Sequence, residues 1–534
     1  MSQTVQLLVA LLPVIAAVAY VASRLKLPPS ILWVMAGVVL ALLPGLPEID
    51  LEPKLVLLIV LPPVIYMSAV AMSWRDFKFN LRPIALLAVG CVVFTTIVVA
   101  VVAHYALGLP WAVGFVLGAI VSPPDAVAPL AIIRRMRLPR RIQVILEGEG
   151  LANDATALIL YRFAVIAVSV NSFSPERAVG TFVTIVACEI VWGIGIGWVM
   201  LRLRRWVNEP RIEITLAVIT PFLAYWPPEY LGGSGVLATV TTGLYISWNG
   251  LRLISAATRL QGIFFWDLLL YLIEGMVFLV TGLQARSLIH RYEDVSVLKL
   301  TSAAAIVCSV VIVARFVWIF PATYLPRWIS PRLRKRDPSP PWQWAAMLSF
   351  TGVRGVVSLA AALAIPFTTA SGDPFPSRDL ILFLTFSVII VTLVGQGLLI
   401  STVARALGLA QAGELERGED EAEEQLARRM AIDAAIKRLG ELQTERALSD
   451  DVVMPLRIHH QDRLLQVDYR RDDEDSHTAL SDLHDELELA LIAAERDYIN
   501  DRFRSGKLKD EPRRKIEHEL DLREAQLANR RDSE

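Results

Sequence analysis

Three cysteines in 534 residues, Cys91, Cys188 and Cys308, are all that this chain carries, and each stands inside an apolar run. Their scarcity and placement argue against disulfides, Cys-ligated metal and thiol chemistry. The first residues lack the basic flank and cleavage site of a secretory signal, so the first apolar run is expected to be retained. No phosphate loop, metal-ligand cluster or nucleic-acid motif occurs, which leaves an enzyme without support and calls for no cofactor and no nucleic-acid partner. A selectivity-filter repeat such as Thr-Val-Gly-Tyr-Gly is missing, which weighs against a channel. Repeats of short period are missing as well.

What is there is apolar. Hydrophobic residues make up 54% of the chain and the mean hydropathy is +0.49, the profile of membrane spans rather than of a soluble core. The net charge of −1 hides an asymmetry: residues before 410 hold about 31 bases and 20 acids, the remainder about 21 bases and 33 acids. A basic, apolar body (1–410) is joined to an acidic, soluble tail (411–534). The tail shows helical spacing of apolar residues, Leu480, Leu483 and Leu487 among them. Two readings stand for it: a small helical or dimerising regulatory domain, and a solvated, partly disordered extension.

Runs of spanning length recur near 4–23, 30–45, 54–72, 82–106, 110–132, 143–171, 177–202, 211–227, 232–248, 263–285, 297–324, 343–369 and 379–407. The expected fold is therefore an all-α polytopic membrane protein of about 13 transmembrane helices with a helical tail. The loops test that count. Six alternate loops (Arg24/Lys26, Arg75/Lys78/Arg82, Arg134 to Arg141, Arg202 to Arg211, Arg252/Arg259, Arg327 to Arg336) hold about 21 bases against about six in the others. The alternation places the N-terminus outside and the C-terminus in the cytoplasm.

Ionisable side chains inside hydrocarbon are costly and tend to mark cavities or partners. The richest span holds Glu147, Glu149, Asn153 and Asp154, with Arg162 two turns further on. At about 100° per residue, Glu149 and Asn153 share a stripe while Asp154 turns toward a different neighbour. Glu147, nearest the basic loop, has a simple pairing with an arginine there as one reading. The preceding span is broken by Pro123 and Pro124, with Asp125 directly after the break. The twelfth is interrupted by Gly352 and Gly355 around a buried Arg354. Interrupted helices in both halves of a transporter point to a midplane site. An acid at one break and a base at the other would offset the charges of the half-helix ends. Arg315 and Glu274 are further buried charges, the first read as structurally paired; Glu189 is given no role, and Pro62-Pro63 is read as a kink.

At these residues the sequence resembles the monovalent cation:proton antiporter family, which includes the sodium/proton exchangers, over roughly 1–410. Glu149 to Asp154 looks like the family's Glu-Ser-x-x-Asn-Asp signature with Gly150 in the Ser place. Ser122 to Ala128 resembles its Thr-Asp-Pro-Val break with Pro124 where Thr usually stands, and Gly352-Val353-Arg354-Gly355 matches its Gly-x-Arg-Gly stretch. The resemblance implies a homodimer in the cell membrane, each protomer of 13 helices with inverted repeats, two broken crossing helices, a dimerisation part and a mobile core. It also implies that Asp154 binds Na+ or H+ in turn, helped by Asp125 and Asn153, and that Glu149 pairs with Arg354. The Asn-Asp form is linked to electroneutral one-for-one exchange serving pH and sodium homeostasis. Gly150 and Pro124 remove hydroxyls that ligate the ion, and Met67 stands where many relatives have Glu. A K+/H+ antiporter is the nearest rival reading, with a cation channel, an intramembrane aspartyl protease using Asp125 and Asp154, and a transport-independent sensor further off.

Overall fold

The computed structural model describes residues 3–25, 27–43, 56–136, 138–170, 175–207, 209–250, 254, 256–286, 296–369, 372–472, 476–505, 512–513, 516–517 and 519–525. Lys26, Arg137 and Arg252 of the basic loops lie outside these, as do the side chains of Leu480 and Leu483. Among the described residues the chain is helical, with one isolated extended pairing, Thr368 with Pro374. It divides into two compact units, Met1–Glu416 and Arg417–Glu534.

The first unit runs through α1 (Gln3–Leu25), α2 (Pro29–Ala41), α3 (Leu61–Ala71), α4 (Leu81–Leu107), α5 (Trp111–Val121), α6 (Val127–Arg135), α7 (Arg140–Val170) and α8 (Pro175–Arg204). It continues through α9 (Pro210–Tyr230), α10 (Val236–Asn249), α11 (Ala256–Leu283), α12 (Val297–Ile329), α13 (Trp342–Phe350), α14 (Val356–Leu363) and α15 (Arg378–Ala406). Six of these are long and apolar enough to cross a bilayer: α4, α7, α8, α11, α12 and α15. Shorter apolar helices include α1, α2, α3 and α5. The expected ranges 110–132 and 343–369 are each two half-helices, α5 with α6 and α13 with α14. Pro62 and Pro63 stand in the first turn of α3. They follow a π-helical turn, Val56–Val60, in which the backbone widens before the two residues that lack an N–H.

Among the described residues three apolar clusters hold the helices of the first unit together, the smallest around Tyr66, Met200 and Trp266. Of the larger two, one takes Ile65, Val113, Leu117, Val121, Leu158 and Leu384; the other takes Ile31, Ile133, Leu279, Met347, Val353 and Leu393. Val121 borders one helix break and Val353 lies within the other, so the breaks sit where the two larger cores meet. Helix α5 lies close on α4 because Gly118 has no Cβ; one placed there would fall 3.0 Å from the Thr96 Cα.

Glu189, given no role from the sequence, holds α10 in place. That helix begins after Gly235, at φ 66°, with no side-chain cap of its own. From α8, the buried Glu189 carboxylate accepts the amides of Ser234 (2.6 Å), Leu237 (3.2 Å) and Gly235 (3.3 Å). An anion at a helix N-terminus answers both the unbonded donors and the dipole.

In the tail, helices run over Leu409–Glu445, Asp450–Asp472 and Ser476–Arg504. Leu487, expected on the apolar stripe, is exposed, and Ile492 and Leu520 supply the buried contact instead. Arg496 reaches Asp521 and Glu524 at 2.8 and 2.7 Å.

Candidate ion site

The site begins with two failures of helix. Pro123 and Pro124 have no N–H to give, so α5 stops at Val121 and α6 resumes only at Val127. The other break, Thr351 to Gly355, separates α13 from α14. The two breaks are bonded to each other: the Asp125 amide donates to the Val353 carbonyl at 2.7 Å. The backbone groups that the helices abandon are thus partly satisfied across the crossing.

Side chains complete the arrangement by charge. Arg354, 1% exposed, donates from Nε to the Val121 carbonyl at 2.9 Å, from Nη2 to Ser122 at 3.4 Å and from Nη1 to Gly352. These carbonyls lie at the C-terminal ends of α5 and α13, so one cation answers two half-helix dipoles. Its amide donates to Thr392 Oγ1 at 2.9 Å, in a π-helical turn (Val391–Gln396) of α15. Asp125 does the converse. Its carboxylate accepts the Val127 amide at 2.9 Å and lies against the Val356 amide, these being the first residues of α6 and α14. Acid and base therefore take the ends of opposite sign, as the sequence leads one to expect.

Gly355 makes room for that acid. A Cβ there would collide with the Asp125 carboxyl group, falling 2.7 Å from its Cβ. Overpacking of this kind costs about 1–3 kcal/mol, the scale on which 1.4 kcal/mol is ten-fold. Gly355→Ala is accordingly expected to lower exchange in proteoliposomes about 5- to 140-fold in protein that still folds. A wild-type rate would mean that Asp125 is not held where the geometry puts it.

Helix α7 passes beside the breaks. Asn153, fully buried, donates from Nδ2 to the Pro124 carbonyl at 2.6 Å, while its Oδ1 has no partner. Asp154, half-buried on the next position, lies within electrostatic reach of Asp125, and so does Glu274 from α11. Carboxylates and an unclaimed amide oxygen are hard oxygen donors, the kind that hard cations take. Gly150 sits against Ala126, and a Cβ at Gly150 would fall 2.9 Å from that of Ala126, so a serine has no room here.

The expected Glu149–Arg354 pair is not what forms. Glu149, 1% exposed, takes Arg315 of α12 in a bidentate pair, Nη1–Oε1 2.5 Å and Nη2–Oε2 2.7 Å, and Arg315 Nε donates to the Leu348 carbonyl at 3.0 Å. The reason is that Arg354 spends its donors on carbonyls. Gly352 stands between the two guanidiniums, its would-be Cβ 2.9 Å from both Arg315 Nε and Arg354 Nη1. Glu147 pairs with Arg134 of the basic loop at 2.6 Å, and Arg162 pairs with Glu229 of α9. Thr392 carried no signal in the sequence, whereas Glu229 follows Pro227-Pro228 just as Asp125 follows Pro123-Pro124.

Comparison with known proteins adds a second line. Residues 10–406 match the family described as "Sodium/hydrogen exchanger, transmembrane". An uncharacterized Na+/H+ exchanger of Mycobacterium tuberculosis is 33% identical over 99% of this chain and 97% of its own length. The sodium, potassium, lithium and rubidium/H+ antiporter of Bacillus pumilus is 32% identical over 81% of this chain and 66% of its own. Among solved structures, the sodium proton antiporter MjNhaP1 of Methanocaldococcus jannaschii at pH 8 aligns with a TM-score of 0.63. That alignment covers 76% of this chain and 98% of the other at 19% identity, a likeness of fold.

Proposed function

Because this chain belongs to the sodium/hydrogen exchanger family, a family of multi-pass membrane cation/proton antiporters, we propose that it exchanges Na+ for H+ one for one. Asp154 carries either ion in turn, Asp125 and Asn153 complete the cation's oxygen shell, and Arg354 holds the crossing breaks together. A proton and a cation stabilise the same carboxylate oxygen and cannot both occupy it. If the core moves only when that charge is neutralised, transport in one direction requires return of the other ion. The observation that carries this reading is the buried, unpartnered Asn153 Oδ1, held at the proline break by the Nδ2 bond to the Pro124 carbonyl, with Asp154 next along the chain. A buried acceptor with nothing to accept asks for a cation or water.

The basic loops support an N-terminus outside and the C-terminus in the cytoplasm. We also propose a homodimer in the cell membrane, with the tail regulating rather than carrying ions. A broader cation range is the second reading, favoured by the printed name of the Bacillus pumilus relative and by the hydroxyls that Gly150 and Pro124 leave out. The test is proton movement in proteoliposomes as Li+, Na+, K+ and Rb+ are offered in turn. Sodium is expected to drive the largest proton movement, without building a membrane potential. Equal responses to K+ and Rb+ would favour the second reading, and a potential that follows the cation gradient would remove the one-for-one stoichiometry.

A further inference from the structure

We propose that a pocket at the basic-loop end of the first unit binds a phosphate-bearing anion, and that its occupant is the headgroup of an acidic phospholipid. Three guanidiniums converge there, from Arg82 at the start of α4, Arg141 at the start of α7 and Arg327 at the end of α12. They share one carboxylate. Asp337 receives Arg82 Nη2 at 3.1 Å, Arg141 Nη2 at 2.8 Å and Arg327 Nη2 at 2.8 Å. Three positive charges on one negative charge leave a surplus of two, and the arginines repel one another across the gap.

Arg327 is otherwise satisfied, by the carbonyls of Asp337 and Thr323, and Arg141 gives its Nε to Asn80. Arg82 is not: its Nε and Nη1 are buried and have no partner. Buried donors without acceptors are costly, and each of these N–H groups suits an oxygen of an oxyanion.

Apart from Thr323 the rest of the lining is apolar, Leu86, Leu87, Ile319 and Trp344 among it. The cavity is about 40 Å³. With one water filling ~10–15 Å³, that admits about three water-sized groups, enough for phosphate oxygens and too little for a nucleotide. Trp328, Ile329 and Trp342 stand exposed close by in sequence, the residue types that settle at a membrane interface. On the reading of the loops given above, this end faces the cytoplasmic leaflet, where acidic lipids meet basic pockets between helices. A phosphate fits the charge and volume of the pocket, and the lipid's chains would lie outside it, in the bilayer.

The test uses the purified full chain, titrated with phosphatidylglycerol, with phosphatidylcholine or with inorganic phosphate, while thermal unfolding and phenylglyoxal labelling of arginines are followed. Phosphatidylglycerol is expected to raise the unfolding temperature and shield Arg82 from the reagent, and phosphatidylcholine to do neither. Arg82→Gln is expected to weaken the phosphatidylglycerol response about five-fold, the effect of one cation at a lipid surface. If that variant does not fold, the labelling of wild type decides. Protection by inorganic phosphate alone would support the phosphate chemistry and move its source to solution. Equal effects of the two lipids, or an unshielded Arg82, would overturn the proposal.

Discussion

Asp154→Asn is expected to bring exchange down to the background of empty proteoliposomes while leaving a folded, membrane-inserted protein. The substitution keeps shape and removes the charge, so the side chain can neither gain and lose a proton nor offer a carboxylate to a cation. The scaffold does not depend on it: the half-buried Asp154 is not among the residues that tie the breaks together, which are Asp125, Asn153 and Arg354. Asp125→Asn differs in kind, because that carboxylate also caps α6 and α14. It is expected to lower stability as well as exchange. Retained exchange in Asp154→Asn would remove the assigned site.

Breaking the Glu149–Arg315 pair is expected to give the largest loss of stability. Both side chains are 1% exposed, and removing one partner of a buried pair strands the other charge at a cost of about 3–5 kcal/mol. Arg315→Ala and Glu149→Gln are therefore expected to unfold at clearly lower temperature in detergent. The double change should be less harmful than their sum, with a coupling energy of about 0.5–3 kcal/mol. The same cycle on Glu149 and Arg354 should give a weaker coupling, because Arg354 is held by the carbonyls of Val121, Ser122 and Gly352. A stronger coupling to Arg354 than to Arg315 would reverse the assignment.

The helix breaks were legible because their causes are local. Two adjacent prolines delete donors, and glycines on either side of Arg354 leave room for another chain to approach, which is how Gly355 admits Asp125. The helical period likewise put Glu149 and Asn153 on one stripe. Pairing across helices was not legible. Two arginines, Arg315 and Arg354, both lie in apolar runs, and spacing along the chain does not say which of them crosses Glu149. The choice follows from competition for acceptors: Leu348 and Glu149 take Arg315, and the broken ends take Arg354. The π-helical turns at Val56–Val60 and Val391–Gln396 were equally hidden, since the second has no proline and arises within an unbroken apolar run. Glu189 escaped because the helix end it caps lies 45 or more residues away.

Competition between proton and cation at Asp154 is most directly read from the protons released when Na+ binds the purified full chain. Calorimetry in two buffers of different ionisation enthalpy measures that number. Where Asp154 is protonated before binding, each Na+ bound should release close to one proton, and raising the proton concentration should weaken Na+ binding in step. Asp154→Asn should release none. Sodium binding to the wild type with no proton release at any pH would contradict exchange at a shared carboxylate.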